Sequence, residues 1–592
     1  MFGLDWATSE RRYRVVVDRD LVIPLSDGTE LVGDVFRPDT SEAVPVIAGF
    51  HPYNNEFQTS PVFPEGFSLQ RGWMESGDPT FFARRGYAHG IFNVRGTGKS
   101  GGWYQAMGPQ ESADVAEAIG WLAAQEWSTG DVGLFGISYF AWLQIQTAMR
   151  EPPALRAIFA PFGATDFYRD FLYHGGILSY RFLVGWKDKL DGLRYRSWYA
   201  ARHGHEAFSR AAAAALEDDE IAAVPELVAA LRDPIGSNAL VADVVLCPLD
   251  TDWWEERRVD YSHTGVPAYL GACWGLNGLH LPAAFRSFER WEGPRVLLVG
   301  PDVYLDRPLY QLQYESLRWF DHWLKGIDTG MLREPPVRLF VAGTGRWRTA
   351  DRWPLPETRW TPFYLHSGGL LSEHDTFASD TATSFEDSPF VHGAGRFATP
   401  ELVEETELLG PAVMDLYLST TDSDALVMVA IFVVDVDGGE REISRGWLRA
   451  SQRALCPRRS RPWAPYHLHE QRQPLVDGEI FRLQVEIAGV SARLHPGQRL
   501  AVVLKLADDE PPPDPLRATG FGHLQRQAAA LVRIHHDEEH ASALVLPVVE
   551  GNVLGTFISG GRLPRGPKPI PTAKIVKLKS TSAPGPGPAG DG

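Results

Sequence analysis

The chain has 592 residues, 44% of them hydrophobic and 22% charged, as expected for a globular protein large enough to form two or three domains. Its 57 basic and 75 acidic side chains give a net charge of −18, which argues against nucleic acid and anionic membrane surfaces as partners. The three cysteines are widely spaced, which argues against a disulfide scaffold or a thiolate zinc site and favours a reducing compartment.

The N-terminal residues favour a cytoplasmic protein. Residues 1–17 lack the apolar segment of a signal peptide. The sequence also contains no run of about 18 apolar residues that could span a bilayer. We therefore expect a protein without a membrane partner.

Strand and helix signals alternate through residues 1–174. Residues 13–17 and 30–36 alternate in polarity like two paired strands. Continuous apolar runs, typical of strands buried on both faces, follow at 44–50, 87–94, 132–135 and 155–160. An amphipathic helix is predicted between the second and third of these runs. The alternation predicts a parallel sheet covered by helices, with residues 1–174 as the first part of an α/β core.

Ser138 lies between a predicted strand and a predicted helix. The apolar run 132–135 is followed by Gly136-Ile137-Ser138, and a helix begins near Ala141. A serine on such a tight turn points its Oγ away from the sheet, and the backbone N–H of Tyr139 aims at the same point. This arrangement is a nucleophile elbow. The usual Gly-x-Ser-x-Gly pattern is incomplete, because Phe140 replaces its last glycine.

The pattern of secondary-structure signals changes twice after this motif. Residues 175–260 contain alanine-rich helical segments and interrupt the strand–helix alternation, which resumes over residues 261–333. After Pro335-Pro336, short runs of alternating polarity recur between turn residues, so residues 335–560 are predicted to form an all-β sandwich. Residues 565–592 are rich in Pro, Gly, Lys and Ser and are predicted to be a disordered tail.

Six further stretches have an order and spacing that together are specific. They begin at Phe82 (Phe-Ala-Arg-Arg-Gly-Tyr), Asn93 (Asn-Val-Arg-Gly-Thr-Gly-Lys-Ser-Gly-Gly), Gln125 (Gln-Glu-Trp-Ser-Thr-Gly-Asp-Val-Gly-Leu-Phe-Gly-Ile-Ser-Tyr), Asp166 (Asp-Phe-Tyr-Arg-Asp), Phe320 (Phe-Asp-His-Trp-Leu-Lys-Gly) and Gly446 (Gly-Trp-Leu-Arg-Ala-Ser). The chain resembles the cocaine-esterase and X-prolyl dipeptidyl peptidase family of α/β-hydrolases from about residue 13 to about residue 550. The resemblance implies an α/β-hydrolase core (1–174 and 261–333), a helical cap inserted at 175–260, and a jelly-roll-like domain at 335–560.

The same resemblance implies a set of site residues. Ser138 matches the family's nucleophile, which forms an acyl-enzyme. Tyr53 matches an oxyanion-hole tyrosine whose phenol donates beside the backbone N–H of Tyr139. A serine mechanism also needs a base to take the proton and a third group to orient that base.

Two family positions depart from this pattern. Leu276 stands at the family's acid position, with Asn277 next to it, and Tyr304 stands where the family has its histidine. Tyrosine has an ordinary pKa of about 10 and is a poor base at neutral pH. His280 is therefore the predicted substitute base. The other candidates near the site are His51, Asp302 and Asp306.

Two functions follow from these residues. The first is a serine hydrolase that cleaves a small-molecule ester or amide through an acyl-enzyme at Ser138, without a cofactor or metal. The second is a catalytically impaired homologue that binds a ligand or a partner, because Leu276 and Tyr304 interrupt the triad. A homo-oligomer is compatible with either function.

Overall fold

The computed structural model describes residues 6–60, 73, 75–301, 308–375, 377–508 and 522–551. The predicted tail at 565–592 lies outside these residues, as does Tyr304. Within them, an α/β unit containing the elbow precedes a β-rich unit, which confirms the predicted fold class.

A mostly parallel sheet of ten strands organises the described part of the α/β unit. The strands of this unit are β1 (Val15–Pro24), β2 (Glu30–Pro38), β3 (Val44–His51), β4 (Ala88–Asn93), β5 (Ser128–Phe135), β6 (Leu155–Pro161), β7 (Tyr173–His174), β8 (Ile177–Leu178), β9 (Ala268–Cys273), β10 (Arg295–Gly300), β11 (Val337–Val341) and β12 (Arg346–Ala350). Their order in the sheet is β1-β2-β4-β3-β5-β6-β9-β10-β11-β12, and β7 pairs with β8 in a separate ribbon. Strands from β4 to β11 run parallel, whereas β1, β2 and β12 pair antiparallel at the two edges.

Helices cover the sheet and bury its central strands. They are α1 (Asn55–Thr59), α2 (Pro79–Ala83), α3 (Pro109–Ala123), α4 (Tyr139–Ala148), α5 (Tyr180–Lys187), α6 (Trp198–His203), α7 (His205–Leu216), α8 (Asp219–Ala222), α9 (Pro225–Arg232), α10 (Ser237–Leu246), α11 (Asp252–Glu255), α12 (Leu281–Arg290) and α13 (Pro308–Lys325). Every residue of β3, β4 and β9 is buried, which explains their continuous apolar sequence. Helices α5 to α11 form the insertion between β8 and β9, in the segment predicted to be the cap.

The β-rich unit has its own apolar core. Its strands are β13 (Arg359–His366), β14 (Leu370–Ser372), β15 (Ala382–Ser388), β16 (Val391–His392), β17 (Ala394–Ala398), β18 (Thr406–Thr420), β19 (Leu426–Val434), β20 (Glu440–Arg449), β21 (Phe481–Leu494), β22 (Arg499–Lys505), β23 (Ala530–His535) and β24 (Ala543–Glu550). They follow the order β16-β15-β23-β18-β24-β13-β14-β17-β22-β19-β20, with β21 also paired to β18. Alternate residues of β21 are buried, as expected for strands with one inward face.

A buried ion cluster joins the helical insertion to the β-rich unit. Arg449, the last residue of β20, bonds to the carboxylates of Glu220 in α8 and Asp424. The side chains of Arg449 and Glu220 are only 2% and 3% exposed. Arg526 adds a second contact to Glu220, at 2.8 Å. Burial alone would raise the pKa of Glu220, but the two guanidinium groups hold it below its ordinary value.

Replacing the arginine of this cluster tests its contribution to stability. We expect Arg449→Met to lower the free energy of unfolding by about 3–5 kcal/mol, because two carboxylates lose their buried partner. The matched control is Arg396→Met, which breaks the exposed pair with Glu440 and should cost at most about 1 kcal/mol. Urea denaturation followed by tryptophan fluorescence measures both changes. Equal losses in the two variants would contradict the assignment.

Candidate functional site

Ser138 occupies a strained turn between β5 and α4. Strand β5 ends at Phe135 and helix α4 begins at Tyr139. Between them Ser138 has φ 60° and ψ −121°, a backbone conformation that is unusual for a residue other than glycine. Its exposed fraction is 7%. The backbone therefore has the strand–turn–helix geometry of a nucleophile elbow.

Phe140 fits at the last motif position because two glycines leave room for its ring. A Cβ added at Gly49, in the neighbouring strand β3, would lie 2.7 Å from Phe140 Cδ1, and one at Gly136 would lie 2.6 Å from Phe140 Cβ. The Phe140 ring also stacks on His51, with 4.9 Å between ring centroids. The departure from the usual pattern is therefore accommodated by packing beneath the turn.

Tyr53 is held beside the elbow by the loop that follows β3. The Tyr53 N–H donates to His51 Nδ1 over 3.1 Å, and Asn93 donates to the Tyr53 carbonyl over 2.8 Å. Burial lowers the pKa of His51 to about 3, which favours the neutral ring that this bond requires. The Tyr53 hydroxyl oxygen accepts a hydrogen bond from Trp186 Nε1 over 3.4 Å.

Tyr139 lies against Tyr53 and is anchored through its own side chain. The two rings meet edge-on, with 6.1 Å between centroids. The Tyr139 hydroxyl donates to the Glu111 carboxyl, which also accepts the Met107 N–H over 2.9 Å. Burial raises the pKa of Glu111 to about 7, and the bond from Tyr139 opposes that rise. This anchor fixes the first residue of α4, whose backbone N–H is one of the groups left without an intrahelical acceptor.

Glu75 is a member of the site that the sequence analysis missed. Its carbonyl accepts the Ile137 N–H over 2.9 Å, and its own N–H donates to Gln58 Oε1 over 3.0 Å. Its carboxyl is buried close to Ser138. Burial raises the pKa of this carboxyl to about 8, while the charge of Lys189 and the nearby Ser138 hydroxyl oppose the rise. No sequence signal marked this residue, which lies about 60 residues before the serine in a stretch without a motif.

His280 lies in a buried position at the start of α12. Its ring nitrogen Nδ1 is 3.1 Å from the carbonyl oxygen of Gly163, and its ring meets Phe162 with 6.1 Å between centroids. Burial lowers the pKa of His280 to about 3. Leu276, which the sequence analysis placed at the family's acid position, is buried in an apolar cluster that also contains Ile137. The candidates Asp302 and Asp306 lie outside the described residues, as Tyr304 does.

The structure thus brings Ser138, Tyr53, Tyr139 and Glu75 together around one turn. The catalytic roles of Ser138, Tyr53, Tyr139 and His280 stay predictions. The described residues contain no group of three His, Cys, Asp or Glu side chains that could hold a metal ion. In the same part of the chain, no helix is long and apolar enough to cross a membrane.

The packing beneath the elbow gives a stability prediction. We expect Gly49→Ala to destabilise the protein by about 1–3 kcal/mol, because the new methyl group would meet both the Phe140 ring and the Phe135 carbonyl oxygen at 2.7–2.8 Å. Gly120→Ala, within α3, is the control, since its Cβ would meet nothing within 4 Å. Thermal unfolding should show a lower midpoint for Gly49→Ala alone.

The raised pKa of Glu75 predicts how stability depends on pH. In the unfolded chain this carboxyl ionises near its ordinary value of 4.5, whereas in the folded protein it ionises near 8. Between these values the folded state binds the extra proton, so the contribution of Glu75 to stability falls as pH rises. We expect Glu75→Gln to raise the free energy of unfolding at pH 8.5 by a few kcal/mol, which is seen as a higher unfolding midpoint. At pH 4.5 the same substitution should change the midpoint little.

An exposed carboxyl provides the control for that measurement. Glu126→Gln removes a carboxylate from the surface loop after α3, and its midpoint should follow the wild type at both pH values. If the unfolding midpoint of Glu75→Gln equals that of the wild type over the same pH range, the raised pKa of Glu75 is contradicted.

Two family models match the chain. One, described as X-Pro dipeptidyl-peptidase (S15 family), matches residues 27–303. The other, described as the X-Pro dipeptidyl-peptidase C-terminal non-catalytic domain, matches residues 329–545. Together they cover the unit that carries the elbow and most of the β-rich unit.

Similar proteins span nearly the same length. The cocaine esterase of Rhodococcus sp. (strain MB1 Bresler) is 27% identical over 598 aligned residues, covering 90% of this chain and 99% of that protein. A CocE/NonD family hydrolase of Staphylococcus aureus has a similar structure, with a TM-score of 0.73, 23% identity and coverage of 90% and 94% of the two chains. An aminopeptidase of a Thaumarchaeota archaeon has a TM-score of 0.70 at 18% identity, covering 91% and 97%.

These matches confirm the predicted resemblance. The two matching family models place both units in one family, whose members are hydrolases of the esterase and dipeptidyl-peptidase kinds. The chain belongs to the cocaine-esterase and X-prolyl dipeptidyl peptidase family of α/β-hydrolases.

Proposed function

We propose that the protein is a serine hydrolase that cleaves an ester or amide of a small molecule through an acyl-enzyme at Ser138. The observation that carries this proposal is the strained, positive-φ turn that holds Ser138 between β5 and α4. Such strain persists only where the surrounding structure enforces it, and it is typical of a nucleophile presented at a sheet edge.

The proposed reaction uses the groups gathered at this turn. Ser138 Oγ attacks the acyl carbonyl carbon, and the carbonyl oxygen becomes an oxyanion. The Tyr139 N–H and the Tyr53 hydroxyl are the proposed donors to that oxygen, and their fixed positions support this role. Collapse of the tetrahedral intermediate expels an alcohol or amine, and water then hydrolyses the acyl-enzyme. The reaction also needs a proton acceptor, for which the sequence nominated His280.

The low exposure of Ser138 supports acyl transfer at this position. Its side chain is nearly buried, and Trp186 of the helical insertion reaches the Tyr53 hydroxyl from above the turn. Excluding water strengthens the hydrogen bonds to a developing oxyanion and slows competing reactions.

Covalent labelling tests the proposal. We expect a fluorophosphonate probe to label the wild type and Ser138→Ala to abolish that labelling. Hydrolysis of nitrophenyl acetate should fall in parallel by at least about 10³-fold. The control is Ser262→Ala, because Ser262 is exposed and bonds only within its own turn. This variant should behave like the wild type.

Two other outcomes would contradict the proposal. A folded wild type that neither reacts with the probe nor hydrolyses the ester would favour the impaired, ligand-binding alternative. Ester hydrolysis that survives Ser138→Ala would move the chemistry to another site.

A further inference from the structure

Glu75 is fixed against the elbow through its backbone. The bond from the Ile137 N–H to its carbonyl ties it to the residue directly before Ser138. Gln58 accepts the Glu75 N–H, and the Gln58 carbonyl accepts the Ser76 hydroxyl over 2.5 Å. The backbone of Glu75 is therefore held by both the elbow turn and helix α1.

The Glu75 carboxyl has fewer partners than other buried carboxyls of the described residues. Asp114 accepts two bonds from Arg95 at 2.7 Å, and Glu220 bonds to Arg449. Glu111 accepts hydrogen bonds at both of its oxygens, from Tyr139 and from Met107. Glu75 is only 5% exposed, and its Oε2 makes no hydrogen bond to a described residue. The Ser138 hydroxyl is close enough to this carboxyl to lower its pKa. A buried carboxyl without a guanidinium costs stability, so its place beside Ser138 calls for a functional explanation.

We propose that Glu75 is the proton acceptor of Ser138 and so replaces the imidazole that the family's motif places at position 304. This inference rests on the proposed serine hydrolase function. As the bond from Ser138 Oγ to the acyl carbon forms, the Oγ–H bond breaks and the proton moves to a Glu75 carboxylate oxygen. When the bond to the leaving group breaks, the Glu75 acid returns the proton to the departing oxygen or nitrogen. Water then gives its proton to Glu75 as it attacks the acyl-enzyme, and that proton returns to Ser138 Oγ.

Burial favours a carboxylate over an imidazole in this role. A carboxylate becomes neutral when it takes a proton, whereas a neutral imidazole becomes a cation that a buried site disfavours. The pKa of Glu75 is accordingly raised to about 8, and that of His280 is lowered to about 3. A proton acceptor works best when its pKa is near the working pH. Glu75 meets that condition and His280 does not.

One charged side chain tunes the proposed base. Lys189, an exposed residue after α5, opposes the rise in the pKa of Glu75 through its positive charge. The other neighbours, Ser138 in the elbow and Gln58 in α1, have neutral side chains. Among the described residues, Lys189 is the cation that acts on this carboxyl.

The rate of acylation as a function of pH tests the proposal. Labelling by a fluorophosphonate probe is followed under single-turnover conditions from pH 6 to pH 10. In the wild type the rate should rise with pH around a midpoint near pH 8, and level off about one pH unit higher, as the Glu75 carboxylate forms. Glu75→Gln keeps the shape of the side chain and cannot accept a proton, so the rate should fall at least 100-fold and lose this rise.

Variants outside the reacting groups provide a second test and a control. Lys189→Met should move the midpoint of the wild-type profile to higher pH, because removing the ammonium raises the pKa of Glu75, and Lys189→Arg should restore it. A purely structural role for Glu75 would leave this midpoint in place. Glu126→Gln, the exposed control, should leave both rate and profile unchanged.

The outcomes separate this inference from the proposed function. If the wild type labels at Ser138 and Glu75→Gln keeps its rate and pH profile, Glu75 is not the acceptor and the serine mechanism still stands. If His280→Gln loses the rate while Glu75→Gln keeps it, the imidazole is the base. If Ser138 is not labelled in the folded wild type, both the function and the inference are wrong. Circular dichroism of each variant shows that its fold is intact.

Discussion

The site depends on one local constraint, the positive φ of Ser138 at the end of β5. This conformation is costly for a residue with a side chain, and the packing beneath it must hold the turn in place. Phe140 supplies that packing by filling the space above Gly49 and Gly136 and stacking on His51. Phe140, the residue that departs from the usual elbow pattern, is therefore also a residue that supports the elbow.

The same turn explains why several buried polar groups collect at one edge of the sheet. Parallel strands end together there, so the loops after β3 and β5 bring Tyr53, Tyr139 and Ser138 into one small region. Their backbone positions are secured by His51, Asn93 and Glu111. Buried polar groups are costly when they lack partners, and this network satisfies most of them.

The acid–base chemistry of the site is set by burial more than by ion pairing. The titratable groups nearest the turn, Glu75 and Glu111, have raised pKa values, and the buried imidazoles His51 and His280 have lowered ones. Each shift has desolvation as its first cause and favours the uncharged form. Against this background, a buried carboxyl is the kind of group that takes a proton readily, because its protonated form is the neutral one.

The sequence by itself determined the fold class and the place of the elbow. Period-two runs, continuous apolar strands and the strand–Gly-x-Ser–helix order are local signals, and the structure reproduces them in β3, β5 and α4. The sequence also predicted that Leu276 and Tyr304 depart from the family pattern, because that comparison is made position by position. It suggested His280 as the base only because this residue lies close to Leu276 in the chain.

Tertiary structure alone decided which groups meet Ser138. Glu75 lies about 60 residues upstream in a stretch without a motif, and only the bond between its carbonyl and Ile137 brings it to the elbow. The environment of a titratable group likewise comes from contacts distant in sequence: His280 is buried against Gly163, and Lys189 reaches Glu75 from the helical insertion. Local patterns do not encode desolvation or long-range charge, so only the folded chain could show that a buried carboxyl lies close to the serine.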